Sequence, residues 1–99
     1  MEQIERIKSM EDILNRSLEV CAAFDEALEQ FLALRVGIRA LNEYYGSDSW
    51  FFDLDCDRAG LLPSDLRRGV LSEDAVYDLL TDYHALWERI RELAAESAE

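Results

Sequence analysis

The sequence of 99 residues contains three aspartates at alternate positions, Asp53, Asp55 and Asp57. Of all the spacings in the chain, theirs comes closest to that of a metal-binding loop. In a calcium-binding loop alternate oxygens converge on one ion, with glycine at the sixth position and a bidentate glutamate at the twelfth. Those two positions hold Arg58 and Ser64 here. Because two required parts are absent, the pattern favours an acidic helix face, and a divalent-metal-dependent activity is the weakest of three functional hypotheses.

The single histidine, His84, is the other candidate for acid–base chemistry. Glu88 follows it by one helical turn, the spacing at which a helix places a carboxylate beside an imidazole. No identifiable nucleophile accompanies the two residues, and the chain contains no GxSxG, P-loop or dinucleotide-binding motif. A lone histidine of this kind is more often structural. The sequence therefore predicts a protein that is not an enzyme and binds no cofactor.

Two cysteines, Cys21 and Cys56, are far apart in the chain and belong to no CxxC pattern. Their spacing gives no support to zinc binding or dithiol chemistry. We expect both thiols to be reduced, with Cys21 packed as a small hydrophobic residue in the core.

Aromatic side chains are concentrated in the middle of the chain, where five fall between positions 44 and 52. Tyrosine and tryptophan near arginine are typical of protein interface anchors, and an adjacent arginine pair follows in the sequence. The alternative is that the rings seal a hydrophobic core while the arginines pair with the chain's own carboxylates. The interaction candidates of this region are Tyr45, Trp50, Phe51, Phe52, Arg67 and Arg68.

The net charge limits the kind of partner. The chain has 22 acidic and 10 basic residues, which give a formal net charge of −12 at pH 7. Such a charge repels phosphate groups, so direct binding to nucleic acid or to an anionic membrane is not expected. A basic protein partner is compatible with it, as is a surface that is acidic only for solubility. No apolar stretch approaches a membrane span and the N-terminus lacks a signal-peptide pattern, so we expect a cytoplasmic protein.

Apolar residues recur every three or four positions from Ile4 to Tyr45, the period of one helical face. They predict a first helix over about 2–44, with a possible bend near Gly37, because glycine inside a helix costs about 1 kcal/mol relative to alanine. A second apolar row runs beside the first, so this helix needs cover on more than one side. The interface candidates in the second row are Val20, Ala27 and Leu34.

Turn and cap residues then begin and end a second helix. Gly46 suits the left-handed position that follows a helix, and Ser47 is a preferred N-cap. The second helix is predicted over about 48–58, with Gly60 as its stop.

A connector over about 60–71 leads to the last helix. Pro63 lies near the start of a single predicted helical turn in this connector, and Gly69 lies at its end. Ser72 is the clearest N-cap of the chain, and it predicts a third helix over about 73–95.

These elements predict an all-α fold that forms a single domain over 1–99. Two long helices make an antiparallel hairpin, which the short middle helix and the proline-containing connector turn close. At about 1.5 Å per residue the first helix is much the longer of the two, roughly 65 Å against 35 Å. Its excess apolar surface needs either a fold-back at Gly37 or a second copy of the chain, and a symmetric homodimer is the favoured prediction.

The segment Tyr44–Ser47 with Trp50, and the segment Leu62–Asp74 with Tyr77, resemble a family of small bacterial proteins known as domain of unknown function 4298. The Gly-Val-Leu-Ser-Glu-Asp run that ends the second segment is the most specific part, and the resemblance covers nearly the whole chain. It implies an α-helical fold and a bacterial source. It implies no activity and no catalytic residue.

Three functional hypotheses follow from the residues. The leading one is a non-enzymatic protein-interaction module that self-associates and has an unknown, possibly basic, protein partner. The second is an acidic decoy that occupies a basic nucleic-acid-binding surface, and the third is the metal-dependent activity at the aspartate run. Salt dependence separates the first two, because a decoy loses affinity steeply as ionic strength rises and an apolar interface does not.

Overall fold

The computed structural model describes residues 2–97, and the predicted all-α class is confirmed. The elements in chain order are helix α1 (Gln3–Tyr44), helix α2 (Asp48–Arg58), a 3₁₀ turn (Gly69–Leu71) and helix α3 (Glu73–Glu96). The described residues contain no β-strand. The residues of the chain form two compact units, Met1–Val36 and Gly37–Glu99.

Helix α1 continues through Gly37 without a break. None of its described residues is buried, although a few apolar side chains are half-buried. Those side chains are Leu28, Phe31, Ile38 and Leu41. Their spacing of three or seven positions places them on one face of the helix, and the other apolar positions of α1, apart from the half-buried Tyr44 at its end, are exposed.

The prediction that Cys21 packs into a core is wrong, because this residue is exposed. It lies in the part of α1 where the second apolar row makes most of the helix circumference apolar, and an apolar position there is not necessarily a buried one. Cys56 is half-buried on α2, and both thiols are free.

The corner between α1 and α2 is built by Gly46 and Ser47. Gly46 has a φ of 80°, in the left-handed region that glycine enters without steric cost. Ser47 is the N-cap of α2: its Oγ accepts a hydrogen bond from the Trp50 N–H at 3.2 Å and donates one to the Tyr44 carbonyl at 2.6 Å. Asp48 adds a carboxylate at the positive end of the helix dipole. Local sequence therefore sets the direction in which α2 leaves α1.

Helix α2 ends in a Schellman motif at Gly60, whose φ is 73°. The Gly60 N–H donates to the carbonyl of Asp57, and the Leu61 N–H donates to the carbonyl of Cys56, both at 3.0 Å. These two bonds satisfy carbonyl groups that the end of a helix leaves without partners.

The connector contains two turns, of which the sequence predicts the first. A turn does form at Pro63, closed by the Leu66 N–H donating to the Pro63 carbonyl at 3.2 Å. Gly69 does not end that turn but begins the 3₁₀ turn, in which the Leu71 N–H donates to the Arg68 carbonyl at 3.0 Å. The physical reason is that Gly69 does not have a positive φ, so it supplies no left-handed stop here.

Helix α3 begins at its predicted cap. The Oγ of Ser72 accepts hydrogen bonds from the backbone N–H groups of Asp74 at 3.3 Å and Ala75 at 3.4 Å. Leu71 and Val76 are both buried, and they occupy the two positions of a hydrophobic staple, one before the cap and one four residues after it. The cap and the staple together fix the start of α3.

The buried side chains of the described residues all lie within Gly37–Glu99. They are Trp50, Leu54, Leu71, Val76 and Tyr83. Trp50, Leu54 and Leu71 form one cluster, and half-buried apolar neighbours from the end of α1 and from the connector pack against it. The core thus sits at the corner where α2 and the 3₁₀ turn meet, which is also where the sequence concentrates its aromatic residues.

Candidate functional site

Trp50 is a core residue of the corner. Its side chain is 5% exposed, and its indole Nε1 donates a hydrogen bond to the Val70 carbonyl at 2.9 Å. The Tyr45 and Phe51 rings meet it edge to face, with centroids 5.2 Å and 5.0 Å away. Edge-to-face contacts of this kind stabilise a packed cluster beyond the area that they bury. Of the aromatic interaction candidates, Trp50 is therefore fully used inside the fold.

Tyr44, the last residue of α1, and Tyr45, which follows it, bind other elements through their hydroxyl groups. The Tyr45 hydroxyl donates to the Glu73 carbonyl in the first turn of α3 at 2.7 Å. The Tyr44 hydroxyl donates to the Asp53 carboxylate on α2 at 2.5 Å. That hydrogen bond, with partial burial and the Asp53 charge, raises the pKa of Tyr44, because each of the three favours the neutral phenol.

Phe51 and Phe52 have most of their side chains outside the core. Phe51 touches Trp50 with one edge yet is about half exposed, and Phe52 is 68% exposed. Leu61 and Leu66 in the connector are also exposed. Of the aromatic candidates, these two phenylalanines are the ones accessible to a partner.

The two adjacent arginines have different environments: Arg68 is hydrogen-bonded to neighbouring elements and Arg67 is exposed. The Arg68 guanidinium donates to the Asp57 carboxylate and to the Pro63 carbonyl, both at 2.5 Å, and to the Leu66 carbonyl at 3.3 Å. It thereby ties the connector to α2. Arg67 is exposed and forms no ion pair within residues 2–97.

The structure gives each aspartate of the alternating run a different environment. Asp53 accepts from the Tyr44 hydroxyl, Asp57 pairs with Arg68, and Asp55 is exposed on another side of α2. An α-helix turns about 100° per residue, so alternate positions point in different directions and cannot surround one ion. Among the described residues, no group of three or more histidine, cysteine or carboxylate side chains is placed to hold a metal.

His84 and Glu88 do not form the pair that their spacing suggests. The Glu88 carboxylate instead accepts from Arg91 at 2.9 Å. The His84 ring lies edge to face against Tyr83, with centroids 5.8 Å apart, and its side chain is exposed. This arrangement lacks the carboxylate that would orient an imidazole as a base.

The second apolar row of α1 lies on the surface. Val20, Ala27 and Leu34 are all exposed, and Ile13 continues the row toward the N-terminus at the same spacing of seven residues. Beside Val20 the surface forms an open groove of about 480 Å³, which Arg16, Glu19, Val20, Ala23 and Phe24 line. The row is thus an accessible apolar strip with both signs of charge beside it.

A recess at the start of α3 is not predicted by the sequence. It measures about 220 Å³, and its lining residues are Leu41, Gly69, Val70, Ala75, Val76 and Leu79. They come from α1, the 3₁₀ turn and α3, so no local pattern reveals the recess. The usable signal was Leu79, which lies beside the main apolar face of α3 and is about half exposed.

Together these contacts define a small all-helical protein. Most of its candidate site residues form contacts that hold neighbouring elements in place. The chain belongs to the family described as Domain of unknown function (DUF4298), which matches residues 7–93. No curated protein and no solved structure matches it. None of the described helices is long and apolar enough to cross a membrane.

Proposed function

We propose that this chain is a non-enzymatic protein-interaction module that self-associates through α1. The observation that carries the proposal is the exposed second row: Val20 and Leu34 are 47% and 49% exposed, and Ala27 between them is exposed too. Apolar rows of this length on a helix without buried residues are typical of protein interfaces.

The spacing favours another helix as the occupant of the row. Residues seven positions apart form a straight seam against a neighbouring helix, as in coiled coils. Ala23 and Ala27 are small, so a second backbone can approach closely at the middle of the row.

The charges beside the row favour a second copy of the chain as that helix. The groove next to Val20 has one cation and one anion in its lining, Arg16 and Glu19. A two-fold axis presents the same surface from both subunits, so the arginine of one copy is offered to the glutamate of the other. A symmetric homodimer is the commonest closed assembly of this kind.

Light scattering tests the proposal directly. At micromolar concentration the protein should have about twice its 11.4 kDa chain mass. Leu34→Glu should give the monomer mass, because it buries a carboxylate in the apolar seam, and should make the melting temperature independent of concentration. Ala33→Glu is the matched control, since it adds the same charge at a neighbouring exposed position on another side of the helix.

Three outcomes oppose the proposal. A wild-type protein that scatters as a monomer at high concentration would exclude self-association. Equal dissociation of Leu34→Glu and Ala33→Glu would show that the second row is not the interface. A dimer that weakens steeply with salt would instead indicate an association dominated by charge.

A further inference from the structure

The recess at the start of α3 has the size of a binding site for one apolar side chain. Its volume is about 220 Å³. Cavities that take small-molecule ligands measure roughly 300–1,000 Å³, so this recess is too small for a whole ligand of that class. Its lining contains only apolar residues and glycine, among them Val70, Val76 and Leu79. A buried leucine or phenylalanine from another chain is the occupant that such walls favour.

Exposed leucines extend the apolar surface from the recess along α3. Leu79, Leu86 and Leu93 are each about half exposed and are spaced seven residues apart. Leu79 belongs both to the recess and to this row. Side chains at this spacing lie on one side of a helix and contact a partner that is itself helical.

The segment of α3 that carries the recess, Leu79 and Leu86 is acidic. Residues 73–86 contain four carboxylates and no lysine or arginine. Glu73 pairs with Arg58 at 3.6 Å, and this is the one ion pair formed by that segment within the described part of the chain. Asp78 and Asp82 are exposed, one turn apart, and next to Leu79 on the helix.

We propose that the recess and the adjoining Leu79–Leu86 surface bind a basic amphipathic helix of a partner protein. One apolar side chain of that helix fills the recess, its apolar face follows Leu79 and Leu86, and its lysine or arginine residues pair with Asp78 and Asp82. A second copy that presents this same surface fits it poorly, because its residues 73–86 bring four more carboxylates and no lysine or arginine. The proposal is independent of self-association through α1.

A designed peptide tests this surface. The probe is a three-heptad peptide with leucine at the a and d positions, lysine at e and g, and alanine and glutamine elsewhere, followed by fluorescence anisotropy. Removing both charges in Asp78→Asn/Asp82→Asn should weaken binding about tenfold, since the lysines of the peptide lose their anionic partners. Asp25→Asn/Glu29→Gln is the matched control: it removes the same net charge from an exposed i,i+4 pair on α1, and binding should weaken less than about threefold.

A second pair of measurements tests the contribution of the apolar contacts to peptide binding. A peptide with alanine at every leucine position keeps all its lysines and should bind at least about tenfold more weakly, because nothing fills the recess. Leu34→Glu should bind the leucine peptide as the wild type does, whether or not the protein is a dimer. Equal losses in the two charge variants, or equal binding of the alanine peptide, would mean non-specific attraction to an acidic protein and would overturn the proposal.

Discussion

The indole Nε1 of Trp50 donates a hydrogen bond to the carbonyl oxygen of Val70, 2.9 Å away and twenty positions later in the chain. This bond connects α2 to the 3₁₀ turn, whose last residue, Leu71, packs in the same buried cluster as Trp50. The connector contributes few other buried side chains, so the fold of residues 44–76 depends heavily on the side chain of Trp50.

We expect Trp50→Phe to lower the free energy of unfolding by about 2 kcal/mol, because it leaves a part-buried carbonyl without its donor and a gap beside Leu54. Urea denaturation followed by circular dichroism measures the change. Phe52→Leu is the control: Phe52 is largely exposed, so its replacement should change stability by less than about 0.5 kcal/mol. Equal effects of the two substitutions would contradict the central position of Trp50.

The fold was predictable because its signals are local. Each signal depends on residues within one or two helical turns of the chain. The signals are the period of the apolar residues, the N-caps Ser47 and Ser72, and the positive φ angles of Gly46 and Gly60. The predicted stop at Gly69 is wrong because the presence of a glycine in the sequence does not reveal the sign of its φ.

The site was less predictable because its contacts are distant in sequence. The sequence could not show which side chain of the arginine pair bends back to the Asp57 carboxylate, or that the Tyr44 hydroxyl reaches Asp53. Periodicity identifies an apolar face but not its burial, and this is why the prediction of a buried Cys21 is wrong.

The two arginines should differ sharply in their contribution to stability. Arg68→Met should destabilise the protein by about 1–2 kcal/mol, because the Asp57 carboxylate and two connector carbonyls lose their charged donor while the aliphatic stem remains. Arg67→Met should stay within about 0.5 kcal/mol of the wild type. Chemical denaturation of both variants provides the comparison, and a larger loss at Arg67 would show that the bracing contacts are assigned to the wrong residue.

The N-cap of α3 gives a prediction with a built-in rescue. Ser72→Ala should cost about 1 kcal/mol through loss of the acceptor for the Asp74 and Ala75 N–H groups. Ser72→Asp should recover most of that loss, because aspartate caps helices as well as serine does. If Ser72→Ala is neutral in a thermal or urea melt, another group caps this helix.

The hydrogen bond between Tyr44 and Asp53 predicts a specific alkaline dependence of stability. The pKa of Tyr44 is raised in the folded protein, first by its hydrogen bond to Asp53, then by partial burial and by the Asp53 charge. A group with a raised folded pKa contributes stability that is fully present below its unfolded pKa, about 10 for tyrosine, and is lost as pH rises through the folded pKa.

Tyr44→Phe removes this contribution, so the stability difference between wild type and variant should be constant up to about pH 9 and should shrink above pH 10. The rest of the chain is identical in the two proteins, so its contribution cancels in that difference. Denaturant melts at a series of alkaline pH values measure it. The same comparison in an Asp53→Asn background is the control: it removes the carboxylate that raises the pKa of Tyr44, so the decline should become smaller. A difference that stays flat throughout the alkaline range in the wild-type background would show that the phenol and the carboxylate are not coupled in solution.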